Sequence, residues 1–367
     1  MIPRLTRVQD AALNRVQEIK PYIPALFFAG GFVFDLFTLG RIDNILNIAT
    51  HGLFLLLTLA LIIMQILEIT PPAGPGRITA LFFRYQNDAI HFMLGALLNA
   101  FVIFYFKSGS LVNTFLLVVI LFGLLVVNEI EFFKKQGPTL KVALFSFSLS
   151  SFFIYLLPVL IGRSNGAIFL GSLLITIMAF LGIWQLLMFL HADPGRIRKK
   201  LLIPAGSVIV LLAALYAAKV IPPIPLSLKQ IGIYHNIERT EEGFTLYKQT
   251  PAWKLWAQGD QDFIAHEGDR IYLFSRIFAP GGFRDRLYFH FQLLNGMKKW
   301  ETTDRIPLTI VGGRNEGFRG YAYKQNYQAG KWRALVETSE GLEIGRINFR
   351  VSLADNESER TYIQETY

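Results

Sequence analysis

Residues 201–228, LLIPAGSVIVLLAALYAAKVIPPIPLSL, divide the chain into two kinds of sequence. A basic cluster, Arg196, Arg198, Lys199 and Lys200, precedes the stretch, and no further charge appears until Lys219. About twenty apolar residues, rising 1.5 Å each, cross a hydrocarbon core of ~30 Å. Pro222, Pro223 and Pro225 then prevent the helix from continuing. The sequence before the stretch is apolar with a helical pattern; the sequence after it is polar, aromatic and alternating. The stretch therefore reads as the last membrane crossing and the link to a separate β domain.

Seven apolar runs, at 22–40, 45–67, 88–106, 111–130, 140–162, 167–190 and 201–221, predict a seven-span α-helical membrane domain over residues 1–221. A proline-rich hinge is expected at 222–230, an all-β, sandwich-like domain at 231–352 and a loose polar tail at 353–367. A mean hydropathy of +0.39 with only 17% charged residues places the chain among multi-pass membrane proteins. The formal charge of +9 invites a nucleic-acid reading. Split at residue 221, however, the halves hold 17 basic and 9 acidic residues (+8), then 19 and 18 (+1). A nucleic-acid domain carries its own positive field, and the β half does not, so no nucleic-acid partner is expected.

The excess positive charge gives an orientation. Basic residues crowd the N-terminal arm (Arg4, Arg7, Arg15, Lys20) and the connections holding Arg77 and Arg84, Lys134, Lys135 and Lys141, and the 196–200 cluster. The alternate connections hold one each: Arg41, Lys107 and Arg163. The positive-inside rule then predicts a cytoplasmic N-terminus and, after seven spans, an extracytoplasmic β domain on the bacterial inner membrane. The first twenty residues are amphiphilic, and no cleavable signal peptide is expected.

Polar groups inside the apolar runs are candidates for a pathway. Asp35 and His51 can pair across the first hairpin, and Asp88 and His91, at i and i+3, share a helix face. The competing reading makes them interhelical contacts. The six histidines, at 51, 91, 191, 235, 266 and 290, show no ligand spacing that zinc favours, and there is no cysteine. No metal or other cofactor is expected.

Eight segments after the hinge alternate as strands do: 231–237, 244–249, 270–278, 286–294, 306–312, 318–324, 331–338 and 343–351. Turn signals such as Pro280-Gly281-Gly282, Asn295-Gly296 and Gly312-Gly313 separate them. In 286–294, Leu287, Phe289 and Phe291 face a core while Tyr288, His290 and Gln292 face out.

The run RIYLFSRIFAPGGF, Trp300, RIPLTIVGGRNEGFRGYAYKQN, GKWRALVET and GLEIGRINFRV resembles the bacterial family called domain of unknown function 2914, over roughly 265–352. Its most specific parts are Gly312-Gly313-Arg314 with Gly317 and Arg319, Gly330-Lys331-Trp332, and Gly345-Arg346 before Phe349. The membrane half, with FYFKSGS at 104–110, is similar to the region that accompanies this domain in some members. The resemblance implies an architecture and a bacterial envelope setting, and supplies no catalytic residue.

VGGRNEGFRGY lacks the GK[ST] of a phosphate loop, so its glycines read as hairpin positions. Arg314, Arg319, Arg333 and Arg346 accompany Tyr321, Tyr323, Trp300 and Trp332, a mixture that recognises glycans, lipid headgroups or proteins by stacking and forked hydrogen bonds. Alternation puts Arg319, Tyr321 and Tyr323 on the outward face, with Arg314 at the turn, and these four are the candidate binding patch. The competing reading buries the tryptophans and pairs the arginines with Glu316, Glu337 and Glu343. There is no GxSxG and no triad spacing of serine, histidine and acid, and although Asp304, Glu316 and Glu337 could flank a glycosidic bond, any β domain of this size contains as many carboxylates. The chain thus reads as a membrane protein with a β binding module. Transport through the helices, with the β domain as a lid, stands second, and an envelope-modifying enzyme third.

Overall fold

In the computed structural model, residues 39–367 are described except 75, 111–114, 118, 125–136, 242, 252, 255, 256, 315 and 355–359. Five helices among the described residues are long and apolar enough to cross a membrane. They are α1 (Ile45–Ile66), α2 (Arg77–Ser108), α3 (Pro138–Ile161), α4 (Gly166–Phe189) and α5 (Pro194–Ala217). The expected span 22–40 lies essentially outside the described residues, as does most of 111–130, of which 115–117 and 119–124 are helical.

The helix ends follow from local chemistry. The Asn44 side chain accepts from Leu46 N–H to start α1, Asn165 accepts from Ile168 N–H in the first turn of α4, and Asp193 accepts from Arg196 N–H with Pro194 in the first turn of α5. Residues Arg198–Leu202 of α5 form a π turn. α2 begins eleven residues before the expected span 88–106. Arg77, Arg84 and Asp88 make 77–88 too polar to resemble a span, yet no proline or glycine interrupts it, so the helix runs on.

The chain divides into two compact units, and the boundary between them cuts the long helices. The first holds α1, most of α2, the start of α3, the end of α4 and the start of α5. Here the Lys141 ammonium, buried, donates to Gln65 Oε1 at 2.9 Å and to Asn87 Oδ1. Lys141 was expected in a basic connection; it is instead in the first turn of α3, turned into the helices. Glu68 pairs with Arg196 at 3.0 Å and Lys200 at 3.4 Å.

The second unit holds the remaining helical segments and, among the described residues, eleven strands. β1 (Ser227–Tyr234), β5 (Ile271–Phe278) and β8 (Phe318–Lys324) form one antiparallel sheet in the order β1-β5-β8. β4 (Asp262–Ala265), β6 (Arg284–Leu294), β7 (Trp300–Val311), β9 (Gly330–Thr338) and β10 (Glu343–Leu353) form a second in the order β4-β10-β9-β6-β7. Both sheets contribute to one core, in which Leu273 and Ile277 of β5 meet Phe289 and Phe291 of β6, Trp332 of β9 and Phe349 of β10.

β2 (Asn236–Arg239), β3 (Phe244–Lys248) and β11 (Ile363–Thr366) form a third sheet. It packs Leu246 and Ile237 against Phe274, the one side chain of β5 that is fully buried on the sheet's other face. The tail expected to be loose therefore supplies a strand: Ile363–Thr366 pairs with β3, and Arg360 pairs with Asp269 at 2.7 Å. Its polar composition hides the strand because β11 joins the sheet by backbone pairing along β3, with its side chains half-buried or exposed.

The segment expected as a hinge is packed at its start. Pro222, Pro223, Ile224, Pro225 and Leu226 are buried, and β1 begins at Ser227. Prolines have no N–H to leave unsatisfied, so a proline run is cheap to bury. The Ile224 carbonyl accepts from Ser164 Oγ at 2.9 Å, and the Gly162 carbonyl accepts from Arg284 N–H at 2.9 Å. The α3–α4 turn is thus docked onto the start of β6.

Candidate functional site

The outer face of the five-stranded sheet gathers the charge. Because Leu287, Phe289 and Phe291 of β6 point into the core, Arg284, Arg286, Tyr288, His290 and Gln292 point out. Register then fixes their neighbours. His290 lies opposite Arg305 of β7 and Leu335 of β9, Gln292 opposite Thr302 and Arg333, and Arg350 of β10 opposite Lys331.

These side chains form a connected row. The Arg305 guanidinium lies over the Tyr288 ring, 4.0 Å from its centre, and donates to Glu337 at 2.9 Å. Glu337 also meets His290 Nδ1 at 3.3 Å, and His290 Nε2 meets Thr302 Oγ1 at 2.7 Å. Arg333 donates to Gln292 Oε1 at 2.9 Å and covers the Trp300 ring at 4.4 Å. Partial burial and the like charge of Arg346 hold the Arg333 pKa below its ordinary value, an effect that Glu343 opposes.

The charges on this face do not cancel. Arg305 is paired with Glu337 and Arg346 with Glu343. Arg284, Arg286, Lys331, Arg333 and Arg350 have no ion pair among the described residues. Five such cations share one face of a half whose overall balance is +1. The aromatic faces of Trp300 and Tyr288 are already covered by guanidinium groups. The Arg333 fork is engaged by Gln292 and the Arg305 fork by Glu337 and the Ser339 carbonyl, so what this surface offers a ligand is the positive charge and N–H donors of Arg284, Arg286, Lys331 and Arg350, the last beside Asp262.

The structure separates the residues that sequence reading grouped together. β8 and β9 are consecutive but belong to different sheets, so Tyr321 and Tyr323 lie on the β1-β5-β8 sheet, away from Arg333 and Arg346. Tyr321 and Tyr323 are exposed, with Gly320 and Ala322 inward, while Arg319 is half-buried. Tyr321 packs edge-on against Phe244 at 5.8 Å, and Arg270 lies over Tyr323 at 4.8 Å. Arg314 is exposed beside Phe318. Trp332 fills the core.

Among the intramembrane candidates, Asp35 lies outside the described residues. His51 is buried, with its ring 5.7 Å from Phe101. Asp88 is exposed whereas His91, three residues on, is buried. Among the described residues no group of three or more His, Asp or Glu side chains is placed to hold a metal ion. Sequence reading did not assemble the Arg305–Glu337–His290 row. Its signal was present in the outward register of Tyr288, His290 and Gln292, but the placement of β9 beside β6 was not.

A family model described as "Protein of unknown function (DUF2914)" matches residues 285–351. That segment runs from β6 almost to the end of β10 and carries Tyr288, His290, Trp300, Arg305, Arg333 and Glu337. No curated protein matches the sequence. Among solved structures, an immunoglobulin-like protein from Pseudomonas aeruginosa is similar at 12% identity over 34% of this chain and 97% of its own, with a TM-score of 0.19. A β-glucosidase from Kluyveromyces marxianus is similar at 13% identity over 44% of this chain and 18% of its own, with a TM-score of 0.18. The alkylpurine DNA glycosylase AlkC from Pseudomonas fluorescens is similar at 11% identity over 85% of this chain and 100% of its own, with a TM-score of 0.22. None of these TM-scores establishes a shared fold.

Proposed function

We propose that this is a multi-pass protein of the bacterial inner membrane whose extracytoplasmic β region binds an anionic ligand on the outer face of the five-stranded sheet. The observation that carries the reading is the gathering of Arg284, Arg286, Lys331, Arg333 and Arg350, without ion pairs among the described residues, on one face of a nearly neutral half. Arg305 and Arg333, seated on aromatic rings, are pre-oriented and lose little freedom on binding.

One observation supports the membrane setting and a second the extracytoplasmic side. Exposed apolar residues such as Leu170, Phe189 and Val210 give α4 and α5 the surface that a lipid-facing helix requires. The connection docked on the β region, 162–165, holds the single basic residue Arg163, whereas the connection after α4 leads into Arg196, Arg198, Lys199 and Lys200. The absence of cysteine allows a direct test. Met297→Cys, at an exposed turn, should react with a membrane-impermeant maleimide in intact spheroplasts, whereas Lys199→Cys should react only after lysis. The reverse pattern would overturn the orientation.

Anion binding is tested on the full chain in neutral detergent with immobilised heparin as a generic polyanion. Retention should fall in Arg333→Gln and in Lys331→Gln/Arg350→Gln, and not in Tyr321→Ala on the other sheet. Unchanged retention in both arginine variants would exclude this face. Transport through the helices remains the second reading, favoured by the buried Lys141 ammonium among Gln65 and Asn87.

A further inference from the structure

We infer that the anion bound by this face is the headgroup of a lipid in the same bilayer, entering the sheet at Arg284 and Arg286. The inference rests on the anion-binding reading above and assigns the source of the anion. Its basis is where the cationic row begins.

Arg284, the first residue of β6, is hydrogen-bonded through its N–H to the carbonyl of Gly162, directly after the end of α3. Gly162 has φ +75°, and a Cβ there would lie 2.7 Å from the Gly282 carbonyl oxygen. The turn is therefore held tightly against the residues that precede β6. On the same side of the sheet, the β9–β10 turn reaches α4, where Glu340 accepts the Gly166 N–H. Both contacts tie one end of the five-stranded sheet to the ends of apolar helices. The last residues of α3, Leu160 and Ile161, are 71% and 55% exposed, a lipid-facing surface that stops where Arg163 begins. That boundary is where headgroup phosphates lie.

The cations rise from this boundary. Arg163 is exposed in the docked turn, and Arg284 and Arg286 are exposed on the outward face of β6. Further along come Arg305 and then Arg333, opposite Gln292. From Arg284 to Gln292 is roughly 27 Å at 3.4 Å per residue, longer than a simple headgroup. A headgroup anchored by its acyl chains would meet Arg284 and Arg286 first, and only its outer part would reach Arg333. A ligand arriving from solution would draw on the whole row and would not need acyl chains to reach the membrane-proximal pair. Guanidinium groups without carboxylate partners present the fork that phosphate oxygens accept.

The test uses the full-length protein in neutral detergent, with bound lipid counted by native mass spectrometry. Phosphatidylglycerol is the probe, phosphatidylcholine the zwitterionic control, and glycerol 3-phosphate the headgroup without its chains. Wild type should retain phosphatidylglycerol about tenfold or more over phosphatidylcholine, as two surface arginines allow. Arg284→Gln/Arg286→Gln should abolish that preference, and Arg284→Lys/Arg286→Lys should keep most of it. Both pairs preserve the backbone bond to Gly162, so a loss confined to the glutamine pair is not a folding failure. Tyr321→Ala, on the other sheet, should leave the preference intact, and glycerol 3-phosphate should not compete. If heparin retention depends on Arg333 but lipid preference is absent or unaffected by the 284/286 pair, the lipid source is wrong and the anion-binding face stands. If neither probe depends on any of these cations, both readings fall.

Discussion

Both carboxylate oxygens of Glu340 lie 2.9 Å from the backbone nitrogen of Gly166, so the β9–β10 turn accepts an N–H in the first turn of α4. The same carboxylate accepts from Tyr216 Oη at 3.0 Å near the end of α5, and Lys219 donates to the Glu340 carbonyl at 3.3 Å. One side chain of the β region thus satisfies a helix start and gathers a second helix end. A carboxylate is suited to this position because the first turn of a helix exposes N–H groups and a positive dipole end.

Replacing Glu340 with alanine should therefore destabilise the full chain by about 1 kcal/mol, the usual cost of a lost helix cap. Tyr216→Phe should cost less, since it leaves the Gly166 bond in place. Thermal unfolding in detergent, followed by tryptophan fluorescence, measures both. A Glu340→Ala protein that melts with the wild type would mean that the contact contributes nothing.

His235 sets a pH dependence. Its ring is buried, stacks on Phe263 at 4.0 Å, and places Nε2 3.5 Å from Asp260 Oδ2. Burial lowers its pKa below the ordinary 6.5 and outweighs the opposing attraction of Asp260. With a lowered folded pKa, the unfolded chain takes up the proton first. Stability should be full above about pH 6.5 and fall as the pH drops toward the lowered value. Asp269 acts in a separate window. Burial pushes its pKa up, but hydrogen bonds from Arg360 and the His266 N–H prevail and hold it below the usual carboxylate range, so its contribution is lost only below about pH 4. Denaturant midpoints measured from pH 7.5 to 5 should slope in wild type and flatten in His235→Gln. An equal slope in both would remove His235 as the cause.

The sequence made some levels of this structure legible and concealed others, for physical reasons. Long apolar runs announce themselves because a bilayer tolerates few alternatives, and α1, α3 and α4 lie within two residues of the expected 45–67, 140–162 and 167–190. Alternation in RLYFHFQLL gave β6 and its two faces because the period is local. Pairing order is not local. Nothing near β8 states that β9 will leave its sheet to lie beside β6, and that choice decides whether Arg333 neighbours Tyr321 or Gln292. Buried prolines at 222–225 carry the same composition as an exposed linker, and only the docked partner, Ser164, distinguishes them.

The patch on β8 has a structural component that its exposure conceals. Tyr321 is 40% exposed but packs against Phe244 of β3 and Tyr272 of β5, and the half-buried Arg319 lies opposite Arg276. Arg319→Ala/Tyr321→Ala should therefore cost about 1 kcal/mol, more than an isolated surface change, by loosening the third sheet. Hydrogen exchange should quicken in 236–248 and 363–367 while β6 and β9 stay protected. Unchanged exchange in those segments would return both residues to the free surface.

The extent of the β region that can fold alone is the last consequence. By composition, residues 231–352 read as a self-contained β domain, and residues outside those limits pack and pair with the same β region. Leu226 is 0% exposed and belongs to the main core with the partly buried Leu228, and Ser227–Gln230 form the first half of β1, paired with Arg276–Phe278. At the other end Tyr367 packs against the cluster of Leu246 and Phe274, both 0% exposed, and β11 pairs along β3. Losing the buried Leu226 removes about 2–3 kcal/mol, and uncovering Leu246 and Phe274 removes a comparable amount. Against a typical domain stability of ~5–15 kcal/mol, these losses take much of the margin. A fragment of 231–352 should accordingly be insoluble or lack a cooperative thermal transition. One of 221–367 should give a cooperative transition, at a lower temperature than the full chain because the contacts of Gly162, Ser164 and Gly166 are missing. Circular dichroism melts of the two fragments decide the matter, and a cooperative 231–352 fragment would show that β11 and the start of β1 are accessories to the core.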